Sequence, residues 1–197
     1  MPKVTDEHRA ARRQQILMAT LRCVAVEGLH RTTMADVIRE SGLSAGAVYG
    51  YFKSKNDLIL AIAEFGLALM DTELRGLAKD GNVPSPDEVT RQLTRAIVRQ
   101  AESQEIDITK VVIAVWAEAV RDEGVRAIVS ERIRTLRDSY AGLVSAQQAA
   151  GLVDPDADPL HVTQVMVGML PGFILQRLVL QDVDPEGYAD GLAALRR

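Results

Sequence analysis

Apolar residues recur along most of this chain at steps of three and four, the spacing that lines one side of a helix. From about Arg9 to Glu27, the positions Ile16, Thr20, Cys23, Val24 and Glu27 follow that step, and the apolar members make a core stripe. Gly28 then permits the left-handed conformation that ends a helix, with Leu29 folding back as an apolar contact. Thr33 with Asp36 opens a second helix, Ser41-Gly42 ends it, and Ser44 caps a short third helix through Phe52. Ser54 with Asp57 repeats the cap pattern and opens a long helix to about Lys79. Ser85-Pro86-Asp87-Glu88 places a cap, a proline and acids in the order that starts a helix. Further helices are predicted over about 86–102, 106–121, 124–150 and 159–181, with a last one starting at Asp184-Pro185-Glu186. No stretch of β-branched alternation is long enough to suggest a sheet. The pattern predicts an all-α fold of about nine helices.

The 159–181 segment is apolar nearly all round. A helix at the edge of one subunit needs only a stripe, so two covered faces are expected, one against the body and one against a second copy. Gly168 and Gly172 permit a close crossing, and Pro171 is expected to kink or break the helix. His161, Thr163, Gln164, Pro171, Gln176 and Arg177 interrupt the run, so a membrane span, which needs about 20 mostly apolar residues, is not the expected role.

With 47% hydrophobic residues, the 197-residue chain has material for a packed core. The single cysteine, Cys23, leaves no internal disulfide and no cysteine-based zinc site, as suits a reducing cytoplasm. The charged start (Lys3, Asp6, Glu7, Arg9) has no apolar run of a secretory signal. Net charge is −4, but it is unevenly placed. Residues 1–56 hold nine Lys/Arg against five Asp/Glu, a net of +4, and the rest holds 14 against 22, a net of −8. A basic head on an acidic body favours phosphate contact at one end.

Within that head, two short helices around a Gly turn direct Val37, Leu43, Val48 and Tyr51 toward a shared core. The other side of the third helix then presents Ala45, Gly46, Tyr49 and Gly50, the arrangement in which a recognition helix enters the major groove. The run Thr32-Thr33, then Gly42-Leu43-Ser44-Ala45-Gly46-Ala47-Val48-Tyr49-Gly50-Tyr51-Phe52, followed by Lys53-Ser54-Lys55-Asn56-Asp57-Leu58, resembles the TetR family of bacterial repressors. The resemblance reaches back through Glu27-Gly28 and Ile16-Leu17 and covers roughly residues 12–65.

That resemblance implies a flexible basic arm over 1–8, a helix-turn-helix DNA-binding domain over 9–56, and a ligand-binding and dimerisation domain over 57–197. The hydroxyls of Thr32, Thr33, Ser44, Tyr49 and Tyr51, with Lys55 at a helix start, would hold DNA phosphates and set register without reading sequence. Lys53, Arg9, Arg12 and Arg13 add positive charge. Three positions depart from the family's usual pattern. Ala45 replaces a common basic or polar residue, Gly50 replaces a common His, and Ile38 replaces Ala at the helix crossing. The third helix therefore has no side chain for bidentate hydrogen bonds to a base. Arg39, Thr33 and the methyl of Ala45 remain for direct reading, together with DNA shape.

The resemblance further implies a homodimer joined by its last two helices, here through Val162, Val165, Met166, Met169 and Phe173. It places a small-molecule effector among the body helices, with Leu67, Met70, Ile113, Trp116, Tyr140, Val144 and Phe173 as candidate lining residues. Such a lining suits an apolar or aromatic compound. The expected partners are double-stranded DNA, an effector and a second copy, with no membrane and no cofactor. An enzyme is the main competing class, but His8, His30 and His161 are isolated and no phosphate-cradling loop or nucleophile elbow occurs. No catalytic residue or metal ligand is assigned. A ligand-blind architectural DNA binder would share the head but lack an effector pocket.

Overall fold

The computed structural model describes residues 6–77, 83–103 and 106–195, apart from the side chains at 67, 69–71, 74, 75, 77 and 103. Among these residues there are nine helices and no strands: α1 (Asp6–Glu27), α2 (Met34–Ser41), α3 (Ala45–Tyr51), α4 (Lys55–Leu77), α5 (Pro86–Ser103), α6 (Ile108–Ala119), α7 (Glu123–Ala149), α8 (Pro159–Val179) and α9 (Pro185–Leu195). The punctuation read from the sequence accounts for their ends. Gly28, Gly42 and Gly151 hold φ of 77°, 67° and 70°, a region that costs a residue with a Cβ. Ser85 accepts from the Glu88 N–H while the Glu88 carboxylate accepts from the Ser85 N–H, so α5 opens on a complete capping box.

Two compact units result. The first takes the chain up to Phe65 together with Ile106–Val129. Here α1 packs on α2 and on α6. Ile16, Leu17, Leu21 and Val24 on α1 meet a core that also buries Val37, Val48, Phe52, Leu58, Val111 and Val115. Burying each such side chain is worth about 1.5–3 kcal/mol. Gln15 ties α1 to the end of α2, donating to the Ser41 carbonyl at 2.8 Å. Leu43 and Tyr51, expected in the core, are half-buried at its rim.

The second unit takes Gly66–Glu105 with Ser130–Arg197. In it α5 lies against α8 and α9. Arg91 bridges to Glu186 and Asp190 at 2.8 Å each, and Arg95 reaches Glu186 at 2.5 Å. Phe173 of α8 meets Tyr188 of α9 edge-on, with ring centres 5.2 Å apart. The Tyr188 hydroxyl donates to the Met169 carbonyl at 3.0 Å.

Three expectations change. Helix α1 starts at Asp6, so residues 6–8 are helical and Arg9, Arg12 and Arg13 ride on a helix; residues 1–5 lie outside the described ones. Helix α8 runs through Pro171 without breaking, although proline removes one ladder N–H. A cut after residue 56 does not follow the compact units, because the apolar face of α6 (Val111, Val115, Ala119) packs with the head.

Candidate nucleic-acid interface

The head's chemistry is set by two caps. Thr33 stands in extended backbone before α2, and its Oγ1 accepts from the Asp36 N–H at 3.3 Å. The Asp36 carboxylate answers by accepting from the Thr33 N–H at 2.9 Å and from the Thr33 hydroxyl at 2.6 Å. Its other oxygen accepts from Arg39 Nη2 at 2.7 Å. The Thr33 hydroxyl, then its N–H, then Arg39, hold the Asp36 carboxyl below the ordinary carboxylate range. Arg39 is thus a cation held over the first turn of α2, with its side chain still 77% exposed.

Ser44 caps α3, its Oγ accepting from the Ala47 N–H at 3.2 Å. A serine hydroxyl so used keeps its proton to donate outward. Beyond it, Ala45, Gly46, Tyr49 and Gly50 form the exposed edge of α3, with Tyr49 43% exposed, while Val48 is fully buried behind them. A Cβ added at Gly46 or Gly50 would meet nothing within 4 Å, and neither glycine sits at positive φ. Each costs the helix about 0.8–1.0 kcal/mol relative to alanine. Nothing inside the fold returns that cost. The bare edge favours close approach by a partner's backbone.

Lys55 opens α4 and donates its ammonium to the His30 carbonyl at 3.2 Å. Lys53 is exposed, and its N–H caps onto Asp57 at 2.7 Å. Arg13 lies over the Phe52 ring at 5.4 Å and pairs with Glu64 at 3.3 Å. Thr32 corrects an expectation. It is 3% exposed and its hydroxyl donates to the Gly28 carbonyl at 2.8 Å, so it closes the α1 turn rather than facing a phosphate. Its neighbour Thr33 is exposed, in extended backbone where successive side chains point to opposite sides. One contact had no sequence signal at all: His30 Nδ1 lies 3.4 Å from Glu118 Oε1, tying the α1–α2 turn to the end of α6. Cys23 is half-buried, and burial pushes its thiol up, away from a reactive thiolate.

The candidate effector residues are divided between the two compact units. Ile113 and Trp116 belong to the first unit, half-buried and 38% exposed respectively. Tyr140, Val144 and Phe173 are buried in the second unit, at 1%, 0% and 0% exposed. The side chains of Leu67 and Met70 lie outside the described ones.

The α8 surface also differs from the expected interface. Met166 (5% exposed) and Phe173 (0%) point into the subunit's own core, so they cannot form the outward face. Val162 and Met169 are half-buried at its margin. Val165 is 61% exposed, and Leu175, Val179 and Leu180 join it at 46%, 72% and 59%. Gly168 is exposed on the same side, and a Cβ there would meet nothing within 4 Å. The step from Val165 through Gly168 and Gly172 to Leu175 and Val179 is legible once the inward face is known. By length and composition α8 could cross a membrane, but Met166, Val167, Leu170, Phe173 and Ile174 are buried against this unit's own helices.

Two family models match the chain. A family model described as bacterial regulatory proteins, tetR family, matches residues 16–62. A second, described as BetI-type transcriptional repressor, C-terminal, matches residues 86–196. An HTH-type transcriptional repressor of Mycobacterium tuberculosis is 32% identical over 139 residues, covering 68% of this chain and 71% of that protein. The uncharacterized HTH-type transcriptional regulator YfiR of Bacillus subtilis is 29% identical and covers 96% of this chain and 92% of its own. Among solved structures, the transcriptional regulator FadR of Bacillus subtilis, in complex with stearoyl-CoA, superposes with a TM-score of 0.75 at 15% identity, covering 93% of this chain and 96% of that one.

Proposed function

The chain belongs to the TetR family of bacterial regulatory proteins, a DNA-binding transcriptional regulator, and on that premise we propose that it is a cytoplasmic homodimeric repressor released from a near-palindromic operator by a small effector. The observation that carries the DNA face is the exposed, side-chain-poor edge of α3, flanked by the Ser44 cap and by Arg39. Hydroxyls, backbone N–H groups and Lys or Arg at that rim would hold phosphates, while α3 itself lies close against the groove. With few side chains to read bases, discrimination rests on Arg39, Thr33, Ala45 and DNA deformability.

Dimerisation is supported by the outward face of α8. Covering what remains exposed of Val165, Leu175, Val179 and Leu180 would bring roughly 4–7 kcal/mol of gross apolar stabilisation per subunit, before ordering costs. A twofold pair sets its recognition helices about 34–36 Å apart, which is why the operator should be near-palindromic. An effector releases DNA if it prefers the state in which that spacing is wrong, through a coupling of about 1–3 kcal/mol.

The test is selection of bound duplexes from a random pool by the full chain, followed by a salt titration of the selected site. A palindromic consensus with steep salt dependence is expected. Absence of retention on any duplex at low salt, from a folded dimer, would refute the reading.

A further inference from the structure

Helix α7 carries an unusual inward stripe. Ile133, Arg137, Tyr140, Val144 and Gln147 fall within about 80° of its circumference at 3.6 residues per turn. All five are buried or half-buried, and all belong to the same compact unit. Three of them are polar, and each carries a buried atom without a hydrogen-bond partner: Arg137 Nε, Tyr140 Oη and Gln147 Oε1. Thr163 Oγ1 on α8 is another such atom in that unit, as are Asp87 Oδ1 and Arg132 Nε.

This chain does not ordinarily leave helical hydroxyls unsatisfied. Thr20, Thr90 and Thr94 each donate to the carbonyl four residues earlier at 2.8 Å. Thr163, 1% exposed, does not. The orientation of Gln147 is pinned as well. Its Nε2 donates to the Pro84 carbonyl at 2.7 Å, and a flipped amide would set oxygen against oxygen, so the free end is an acceptor. Arg137 Nε–H can only donate, and burial keeps the Tyr140 phenol neutral and able to donate. The unmatched stripe therefore asks for an acceptor at its Arg137–Tyr140 end. At Gln147, about 15 Å further along α7 from Arg137, it asks for a donor.

Resting on the effector-released repressor reading, we propose that the effector is an elongated two-ended molecule. Its carboxylate or carbonyl oxygen is held by Arg137 and Tyr140, and its hydroxyl or N–H donates to Gln147 Oε1. This revises the purely apolar or aromatic compound that the apolar candidate lining suggests, because such a compound would leave all three α7 atoms unmatched.

Three probes separate the ends: ω-hydroxydecanoate, decanoate, which lacks the donor, and decane-α,ω-diol, which lacks the acid. Calorimetry on the full-length dimer is expected to show ω-hydroxydecanoate binding at least fivefold tighter than either of the others. Tyr140→Phe should weaken it tenfold or more while the free protein's Tm holds or rises, since an unmatched hydroxyl has been removed. Arg137→Gln should abolish the preference for the acid over the diol. Equal binding of all three probes, no binding of any at millimolar concentration, or a Tyr140→Phe protein with lowered Tm and unchanged affinity would overturn the proposal. Duplex binding measured on the same samples keeps the two readings apart. Retained DNA binding with no probe binding sinks only the two-ended effector, whereas probe binding without any duplex binding sinks the repressor and leaves the site.

Discussion

His30 Nδ1 lies 3.4 Å from Glu118 Oε1, and the same residue's carbonyl accepts from Lys55 Nζ at 3.2 Å, so the turn between α1 and α2 is held from α6 and from α4 at once. The His30 side chain is largely exposed and the Glu118 side chain is not, at 79% and 14%. A 3.4 Å pair with its imidazole in solvent adds little stability, so its weight would fall on position rather than on folding. Glu118→Ala is expected to shift Tm by less than about 2 °C and to leave operator affinity within threefold. The effector's power to release DNA should fall by several-fold, read as the ratio of operator Kd with and without effector. An unchanged ratio would remove this contact from the coupling route.

The α2 cap gives a pH prediction with a definite sign. Asp36 has its folded pKa lowered from an ordinary value of 3.8, first by the Thr33 hydroxyl. A lowered folded value means the contribution is fully present above the unfolded pKa and is lost as pH falls through the folded one. Head stability should therefore decline below about pH 4, and Asp36→Asn should flatten that part of the curve. Thr33→Ala removes the cap itself and should cost about 1 kcal/mol by urea unfolding. A wild-type curve that matches Asp36→Asn through the acid range would contradict the cap's contribution.

Gly50 separates stability from function. Alanine there meets open space and a helix-compatible backbone, so Gly50→Ala should stabilise the head by up to about 1 kcal/mol. If the bare edge lies against DNA, the same change should weaken operator binding about tenfold. Tyr49→Phe should weaken binding on every duplex tested, because a phosphate contact carries no base information. Unchanged affinity in Gly50→Ala, measured by fluorescence anisotropy, would place the groove contact elsewhere.

Val165→Glu puts a charge on the outward face of α8 without disturbing Met166 or Phe173 behind it. Light scattering should then give the 21.5 kDa single chain in place of twice that mass. Operator affinity should drop by at least a hundredfold, as two half-sites are no longer held together. A stable dimer in this variant would move the interface off α8.

Much of the fold could be read along the chain because its signals are local. Caps at Thr33, Ser44 and Ser85 and left-handed glycines at 28, 42 and 151 depend on a few neighbouring residues, and they stand where the pattern put them. The exposed edge of α3 was legible for the same reason, since Val48 is the buried counterpart of Ala45, Tyr49 and Gly50 on one short helix. What local order could not settle is which side of an all-apolar helix faces home. On α8 apolar residues stand on nearly every side, and only packing against α5 and α9 turns Phe173 inward and leaves Val165 and Val179 outside. Thr32 and Thr33 are chemically alike and adjacent, yet one closes a turn and the other caps a helix. The polar stripe of α7 became visible only when burial showed that Arg137, Tyr140 and Gln147 hold atoms with nothing to bond. Spacing along a chain sets which residues share a face; the free energy of packing distant segments together chooses what that face meets.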